Sequence, residues 1–365
     1  MNVGTGAPGV FTEEPPEAAT HPGTPVRLLD LHDTAPVRHR GPALIEELAR
    51  SGLRGRGGAA FPAARKWLAV AAGSGPRVVV ANGAEGEPAS WKDRWLMRRR
   101  PGLVLDGLLL AAEALGADRA IVYVGRREDG AAFRTAGVEV VLVEDRYVAG
   151  EETAVVRGID EGLPLPRAKP PRPFEAGVGG RPTLVQNVET LAHAAWIARH
   201  GADAFREAGT GTSPGTALVT VNRDGRTLLS EVALGTRTAE VVGTARAVLC
   251  GGYFGGIQPP SILDVPLDYD AYAAAGSGLG CAAFTVTDDP LALGRAVAAY
   301  FAAESSRQCG VCLNGTRAMA ETLAADPVDV EKLSRWATTL PGRGACSLLD
   351  GACLLIRSLL KGFPP

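Results

Sequence analysis

Residues 77–94 read RVVVANGAEGEPASWKDR, and the change of character at Asn82 decides the class of fold. The apolar run through Val78, Val79, Val80 and Ala81 is short and unbroken, which fits a strand buried on both faces. Asn82-Gly83 ends it. Working outward, Leu44, Ile45, Leu48 and Leu53 fall on one helical face over 42–53, and a second helical stretch covers 64–72. Downstream, 103–115 is an apolar helix that stops at Gly116, and 120–124 (AIVYV) and 138–143 (VEVVLV) are further strands. Helices set between β-rich runs predict an α/β layer with a largely parallel sheet. The span 126–137 is short for a crossover, so the class is firmer than the topology. Residues 162–182 contain LPLPRAKPPRP and predict an extended, stiff loop. Helix resumes over 187–200. Strands at 217–221 and 227–232 then flank the turn Asn222-Arg223-Asp224-Gly225, and from about 291 the chain reads as helical.

Composition narrows the function. Glycine accounts for 46 of 365 residues, well above the usual share of about 7%. Clustered glycines suit tight turns and close approach to a ligand. A net charge of −2 gives no overall footprint for nucleic acid. Residues 1–25 lack a basic start and an apolar stretch, so 1–30 is expected to be a disordered tail. No apolar run reaches transmembrane length, and the expected location is the cytoplasm, with docking onto a membrane partner left open. The six cysteines at 250, 281, 309, 312, 346 and 353 favour metal binding or packing over disulfides in a reducing compartment. Basic residues are nearly all arginine, which makes Lys66, Lys92, Lys169, Lys332 and Lys361 candidates for work arginine cannot do.

Five segments carry candidate chemistry. In SGLRGRGGAAFPAARKW (51–67), Gly55, Gly57 and Gly58 free backbone N–H groups to converge on an anion, with Arg54, Arg56 and Lys66 adding charge. A tight helix–helix turn is the alternative, and the spacing is not that of a Rossmann fingerprint. Glu85 and Glu87 follow a strand end, where α/β sheets place ligands, and suit ribose hydroxyls or an amide. In YVAGEET (147–153), Gly150 permits close approach, and Glu151 and Glu152 stand at a helix start, where they also satisfy its dipole. PTLVQNVETL (182–191) offers Asn187 and Thr190 at a commonplace helix entry. Cys309-x-x-Cys312 with Cys346 downstream suits soft metals and iron–sulfur clusters. Cys353 would complete a zinc site, but its apolar surroundings (ACLLIRSLL) favour a core thiol.

The order and wording of SGLRGRGGAAFP, EGEP with KDR, GEETA, PR-x-KPP and NVETLA resemble the F-type flavoprotein subunit, NADH- and FMN-binding, of NADH:quinone oxidoreductase, respiratory complex I. Relatives of that flavoprotein occur in soluble hydrogenases and formate dehydrogenases. The resemblance runs from about 42 to 363. It implies three parts: a Rossmann-like α/β FMN domain (31–205), a small ubiquitin-like β-grasp domain of the SLBB type (206–268), and a helical iron–sulfur bundle (269–365). It implies that NADH passes hydride to FMN and that electrons leave singly through a 4Fe–4S cluster to an acceptor protein, ferredoxin-like or a membrane reductase subunit. By matched motif, Gly55, Arg56, Gly57, Gly58 and Lys66 surround flavin phosphate and nucleotide, and Asn82, Asn187 and Thr190 hold flavin. Glu87 and Glu152 contact the nicotinamide nucleotide, with Tyr147, Gly150 and Glu151 near the rings. Phe61 belongs to the adenine pocket.

Departures from the family pattern bear on function. Asn82-Gly83-Ala84 replaces Asn-Ala-Asp, and Gln186-Asn187 replaces a paired Asn-Asn. Losing one hydrogen bond to a charged acceptor costs roughly 1.5–3 kcal/mol, which weakens FMN binding. Ala69 and Arg172 stand where the adenine pocket carries phenylalanines, and Arg172 raises the option of NADPH in place of NADH. In the cluster motif the first cysteine is Ser306, followed by Cys309, Cys312 and the distant Cys346. Three outcomes stay open: a four-iron cluster with a serine ligand, a three-iron cluster, or none. The rival to an NAD(P)H-oxidising electron-transfer subunit is a degenerate, non-catalytic scaffold that keeps the fold. A structural zinc protein is a further rival.

Overall fold

The computed structural model describes residues 15–364. The strands are β1 (Ala18–Thr20), β2 (Arg77–Asn82), β3 (Ala117–Val124), β4 (Glu139–Leu142), β5 (Thr183–Asn187), β6 (Thr216–Arg223), β7 (Arg226–Ala233), β8 (Ala247–Leu249), β9 (Ile257–Gln258) and β10 (Ala283–Thr287). They form a four-stranded sheet ordered β4-β3-β2-β5 and a six-stranded sheet ordered β1-β7-β6-β10-β8-β9.

Every pairing in the four-stranded sheet is parallel. β2 lies inside it, so Val78, Val79, Val80 and Ala81 are all fully buried, which explains the unbroken apolar run. Around it lie α1 (Pro42–Ser51), α2 (Ala63–Ala71), α3 (Lys92–Arg99), α4 (Pro101–Leu115), α5 (Ala131–Thr135), α6 (Glu152–Glu161), α7 (Pro173–Ala176) and α8 (Val188–Arg206). Proline opens α4, where a missing N–H costs nothing, and Gly116 ends it in a left-handed cap with φ 58°. A Cβ on Gly107 of α4 would stand 2.1 Å from the Leu191 carbonyl oxygen of α8, so the two helices touch backbone to backbone. The short β3-to-β4 span is a true parallel crossover that holds only the five-residue α5. The proline-rich stretch is less uniform than expected, because α7 interrupts it and β5 follows where helix entry was expected.

In the six-stranded sheet, β6 and β7 form an antiparallel hairpin whose turn residues Asp224 and Gly225 both have positive φ, 50° and 73°. That geometry matches the twist of the flanking strands. Short helices α9 (Thr238–Val242) and α10 (Tyr269–Ala274) accompany the sheet. Its limits differ from the expected 206–268. β10 pairs with both β6 and β8 and so carries the sheet to Thr287.

The expected tail over 1–30 is corrected in its second half. β1 adds to the sheet edge beside β7. The Glu231 carboxylate accepts the N–H groups of Arg27, Leu28 and Leu29, while the Arg27 guanidinium donates to the carbonyls of Ala204 and Phe205 and stacks 4.6 Å from Trp196. These long-range partners outweigh a tail-like composition. Residues 1–14 lie outside the described residues.

The chain ends in α11 (Pro290–Ala303), α12 (Gly310–Ala324), α13 (Val330–Thr339) and α14 (Leu348–Gly362). They pack around Phe301, Met319, Leu323, Leu333, Leu349 and Ile356. Among the described residues no helix is long and apolar enough to cross a membrane.

Candidate cofactor crevice and thiol corner

β3 flanks β2 on one side and β5 on the other, so the chain changes direction between β2 and β5. Open parallel sheets leave a crevice at the carboxyl ends of such strands. Here Asn82 and Asn187 are the paired last residues. Asn82 Nδ2 donates to the Gly150 carbonyl at 2.9 Å, and its Oδ1 accepts the Ala84 N–H at 3.3 Å. The 82–87 and 147–150 loops can meet only because of glycine. A Cβ on Gly86 would lie 2.4 Å from the Tyr147 carbonyl, and one on Gly150 would lie 2.7 Å from that of Ala84.

The glycine loop folds over the same point. Gly55 N–H donates to Phe61 O at 2.9 Å, and Arg54 and Pro62 form a bridge that closes it. Gly57 faces Asn187, where an added Cβ would sit 3.2 Å from the Asn187 Cβ. Gly58, at φ 109°, faces open space on its side-chain side. Phe61 is 52% exposed at the rim. A loop pressed on a strand end, with one open backbone face, is a shape that suits a flat phosphorylated ring such as FMN.

Beside the loop stand two lysines and two glutamates. Lys66 pairs with Glu152 at 3.5 Å, and Lys169 with Glu151 at 2.8 Å and Glu152 at 3.1 Å. Burial lowers the Lys66 pKa against the pull of Glu152, while the two lysines hold Glu152 below its usual value despite burial. Glu151 also caps α6, accepting from the N–H groups of Thr153 and Ala154.

Four expected contacts are turned inward instead. The Arg56 guanidinium is 1% exposed and donates to the carbonyls of Arg54, Pro214 and Thr216, clamping the glycine loop to the six-stranded sheet. Its own N–H bonds to the buried Thr190 hydroxyl at 2.9 Å. Glu85 pairs with Arg94 and accepts from Ser90 Oγ and the N–H groups of Asp93 and Arg94, which makes it the anchor of α3. Asn187 caps α8 through Oδ1 and donates Nδ2 to Asp93 at 2.7 Å. Each satisfies backbone or charge that burial would otherwise strand. The adjacent Gln186 is 4% exposed, and its side-chain carbonyl has no partner among the described residues.

Behind Asn187 lies a charge network that reading for ligand contacts passes over. Lys92 Nζ is 2.6 Å from Asp93, 3.0 Å from Glu189 and 3.5 Å from Asn187 Oδ1. Lys92 and Glu189 side chains are 2% and 1% exposed. Burial alone would raise Glu189, but Lys92 holds it at about 2. The scarcity of lysine in this chain was the available signal.

Glu87 lies at the seam with the second sheet. It accepts from Tyr147 OH at 3.0 Å, Tyr253 N–H at 2.9 Å and Ala89 N–H at 3.3 Å, and burial pushes it up to about 7. Tyr147 donates its own N–H to Glu304, at the end of α11, and its ring packs against Phe254, Tyr300 and Phe301. A path of direct contacts thus joins the crevice to the C-terminal helices. Glu304 was missed as a link, although it stands only two residues before Ser306.

At the start of α12, Cys309 Sγ accepts the Ala345 N–H at 3.4 Å, which brings the 307–312 and 342–346 loops together. Cys312 Sγ lies 3.8 Å from Ser305 Oγ. Burial raises Cys346 to about 11, with the Cys312 and Cys309 thiols adding to the effect. Ser305 is 5% exposed while Ser306 is half-buried. The thiols share one corner, though among the described residues no three Cys, His, Asp or Glu side chains already converge on a common point. The donor set is soft and suits iron and sulfide. Cys353 is fully buried within the helical core.

Residues 48–196 match the Nuo51 FMN-binding domain, and residues 292–365 match the NADH-ubiquinone oxidoreductase-F iron–sulfur binding region. The second NADH-quinone oxidoreductase F subunit of Rhizobium meliloti is 32% identical over 88% of this chain and 86% of that protein. The F subunit of the Mycobacterium bovis enzyme is 33% identical over 88% and 82%. A solved NAD+-reducing NiFe hydrogenase, in its H2-reduced state, superposes with a TM-score of 0.80 at 32% identity, over 88% of this chain and 61% of that one. The chain therefore spans somewhat under two thirds of that hydrogenase chain. With the ordered motifs, the crevice and the thiol corner all present, the chain belongs to the family of NADH-quinone oxidoreductase F subunits.

Proposed function

We propose that this chain is an NAD(P)H-oxidising flavoprotein subunit that passes electrons on to a partner protein. One observation carries the reading: Asn82 and Asn187 end adjacent parallel strands directly beneath the glycine loop, with the lysine–glutamate cluster alongside. FMN, when bound, supplies hydride acceptance and single-electron release, so no protein general acid or base is required.

The chain's own residues bind and orient. Gly57 and Gly58 present backbone to the flavin phosphate, Lys66 neutralises it, and the Gln186 carbonyl is left to accept from a donor on the ring system. Asn82 and Gly150 set the loop against which the rings lie. Tyr147, Glu87, Glu151 and Glu152 border the nicotinamide side, and Phe61 stacks on adenine. Arg56, Glu85, Asn187 and Thr190 act from behind, fixing the backbone of the crevice. Cys309, Cys312 and Cys346, with Ser306 as fourth ligand, hold the iron–sulfur cluster. The six-stranded unit is read as a β-grasp domain of the SLBB type and the four C-terminal helices as the cluster bundle. Arg172 tilts the dinucleotide preference towards NADPH. The acceptor is a ferredoxin-like protein or a membrane reductase subunit that the chain meets at the cytoplasmic face.

A second reading has its own support: Arg56, Glu85 and Asn187 are occupied by the protein itself, as a scaffold that keeps the fold without the chemistry would also show. The visible spectrum of anaerobically purified protein, before and after NADH or NADPH, separates the two. A flavin band that bleaches on adding either nucleotide is the expected result. A colourless protein that takes up no added FMN establishes the scaffold.

A further inference from the structure

The charge network behind the crevice does not balance. Lys92 pairs with Asp93 at 2.6 Å and Glu189 at 3.0 Å, and Arg94 pairs with Glu85 at 3.0 Å, so two cations serve three carboxylates. All five side chains are at most 7% exposed. Counting the buried Arg56, which acts on Glu189, and Glu87, which acts on Glu85, leaves the same excess of one carboxylate. The other titratable groups nearby are neutral. Burial lowers His193 on α8 to about 4, and burial raises both Tyr269 on α10 and the Cys281 thiol, which faces Asp93 from the loop before β10. An excess carboxylate cut off from water is a place for a proton. Burial would raise Glu189 and Glu85, but Lys92 holds the first at about 2, and Arg94 and Lys92 hold the second below its ordinary value. Asp93 is left: burial, with Glu85 and Glu189 adding to it, raises it to about 7 against the pull of Lys92. It is also the member next to the crevice, because Asp93 Oδ2 accepts Asn187 Nδ2 at 2.7 Å and Asn187 ends β5 against Gly57.

We propose that Asp93 is a redox-linked proton site: its carboxylate takes up a proton from solvent when the cofactor in the crevice is reduced. The inference rests on the flavoprotein reading, because the charge that drives the uptake is that of reduced FMN. Two electrons and one proton enter the flavin and leave it one unit more negative; a second proton, bound at Asp93, restores the balance. In a water-excluded site a new negative charge one side chain away raises a carboxyl's proton affinity. With Asp93 protonated, the Lys92 ammonium is left to Glu189. Below about 7 Asp93 holds its proton in both redox states, whereas above it the oxidised protein has lost the proton and reduction restores it. The uptake therefore falls on the alkaline side. Asp93 thus sets the pH dependence of the flavin potential without touching the nucleotide.

The test is a spectroelectrochemical titration of the FMN-loaded full-length protein over a range of pH, for wild type, Asp93→Asn and Glu87→Gln. One extra proton per two electrons steepens the fall of midpoint potential with pH by about 30 mV per unit, the two-electron equivalent of a tenfold change. Wild type and Glu87→Gln should both show that excess over Asp93→Asn above about pH 7. A merely structural Asp93 would shift the potential or weaken FMN uptake and leave the slope alone. Equal slopes in wild type and Asp93→Asn overturn the proposal, as does an excess that disappears in Glu87→Gln instead. If Asp93→Asn takes up no FMN, the reduced-minus-oxidised infrared spectrum of Glu87→Gln decides. A new protonated-carboxyl band at mildly alkaline pH supports the inference, and its absence overturns it. A wild type that takes up no FMN sinks the flavoprotein reading and this inference with it, and is told apart from the other outcomes because no flavin potential is recorded.

Discussion

The crevice between β2 and β5 and the corner around Cys309 are held together by different means. Around the crevice, nearly every polar group is matched inside the protein. Lys92 meets Asp93 and Glu189, Arg94 meets Glu85, Arg56 meets three carbonyls, and Asn187 serves both a helix cap and Asp93. In the thiol corner the sulfur atoms themselves make only weak contacts, at 3.4 Å for Cys309 and 3.8 Å for Cys312, while Asp350 holds the Gly342 N–H at 2.7 Å. The first region is organised before any ligand arrives. If the second binds a metal cluster, part of its order would come from that ligand, since metal affinity and local folding are coupled where thiolates are brought together. On that contrast, a substitution at Ser306 should stay local, whereas a change beneath the crevice should spread.

The largest effect should come from breaking the pre-built side. Lys92→Met leaves Asp93 and Glu189 buried with no cation at 2.6 and 3.0 Å. Removing one member of a buried pair costs about 3–5 kcal/mol, because the remaining charge has no water. Urea denaturation of the apoprotein should show a loss of that size, and FMN uptake should fall with it. A change below about 1 kcal/mol would mean that the network behaves as a solvated surface cluster, and the contrast with the thiol corner would dissolve.

A smaller effect is expected at the seam, where Glu87 is pushed up to about 7 from an ordinary 4.5. At pH values below 4.5 the carboxyl is protonated in both folded and unfolded chains and adds no pH dependence. Between 4.5 and about 7 the unfolded chain ionises while the folded chain keeps its proton, so stability falls as pH rises. Beyond that window the penalty is constant. Glu87→Gln removes the ionisation, so its stability relative to wild type should improve from acid to neutral pH. Parallel pH profiles for the two proteins would show that Glu87 ionises as freely as an exposed side chain.

Much of this was legible from the chain itself, and the exceptions have a common cause. The run from Val78 to Ala81 announced a central strand because burial on both faces leaves a local mark, and Gly116 and the Asp224-Gly225 turn announced their elements by backbone conformation. β1 left no such mark: three residues in a proline- and glycine-rich segment are held by pairing with Leu229, Ser230 and Glu231, some two hundred positions away. The same holds in the site. Motif reading singled out segments that the fold brings together at the ends of β2 and β5, but it did not show that Asn187 and Glu85 spend hydrogen bonds on Asp93, Arg94 and Ser90, because those partners meet only once the chain is folded. Glycines at 86 and 150 were legible as permissive; that each admits a particular carbonyl of a distant loop was not.

The smallest change in stability, and the sharpest test of the contrast, lies at Ser306. The residue is half-buried, its carbonyl accepts Gln308 Nε2 at 3.4 Å, and its hydroxyl has no partner among the described residues. Ser306→Cys should therefore alter the stability of the apoprotein by no more than about 0.5 kcal/mol. If the corner is ordered by its ligand, the same substitution restores a fourth thiolate and should raise the iron retained after anaerobic reconstitution. It should also convert a three-iron or serine-ligated electron paramagnetic resonance signal into that of an all-cysteine cluster. An unchanged iron content that matches wild type at zero would show that Cys309, Cys312 and Cys346 are packing thiols. The corner would then be held by its own contacts after all, and electrons would have to leave the crevice by another route.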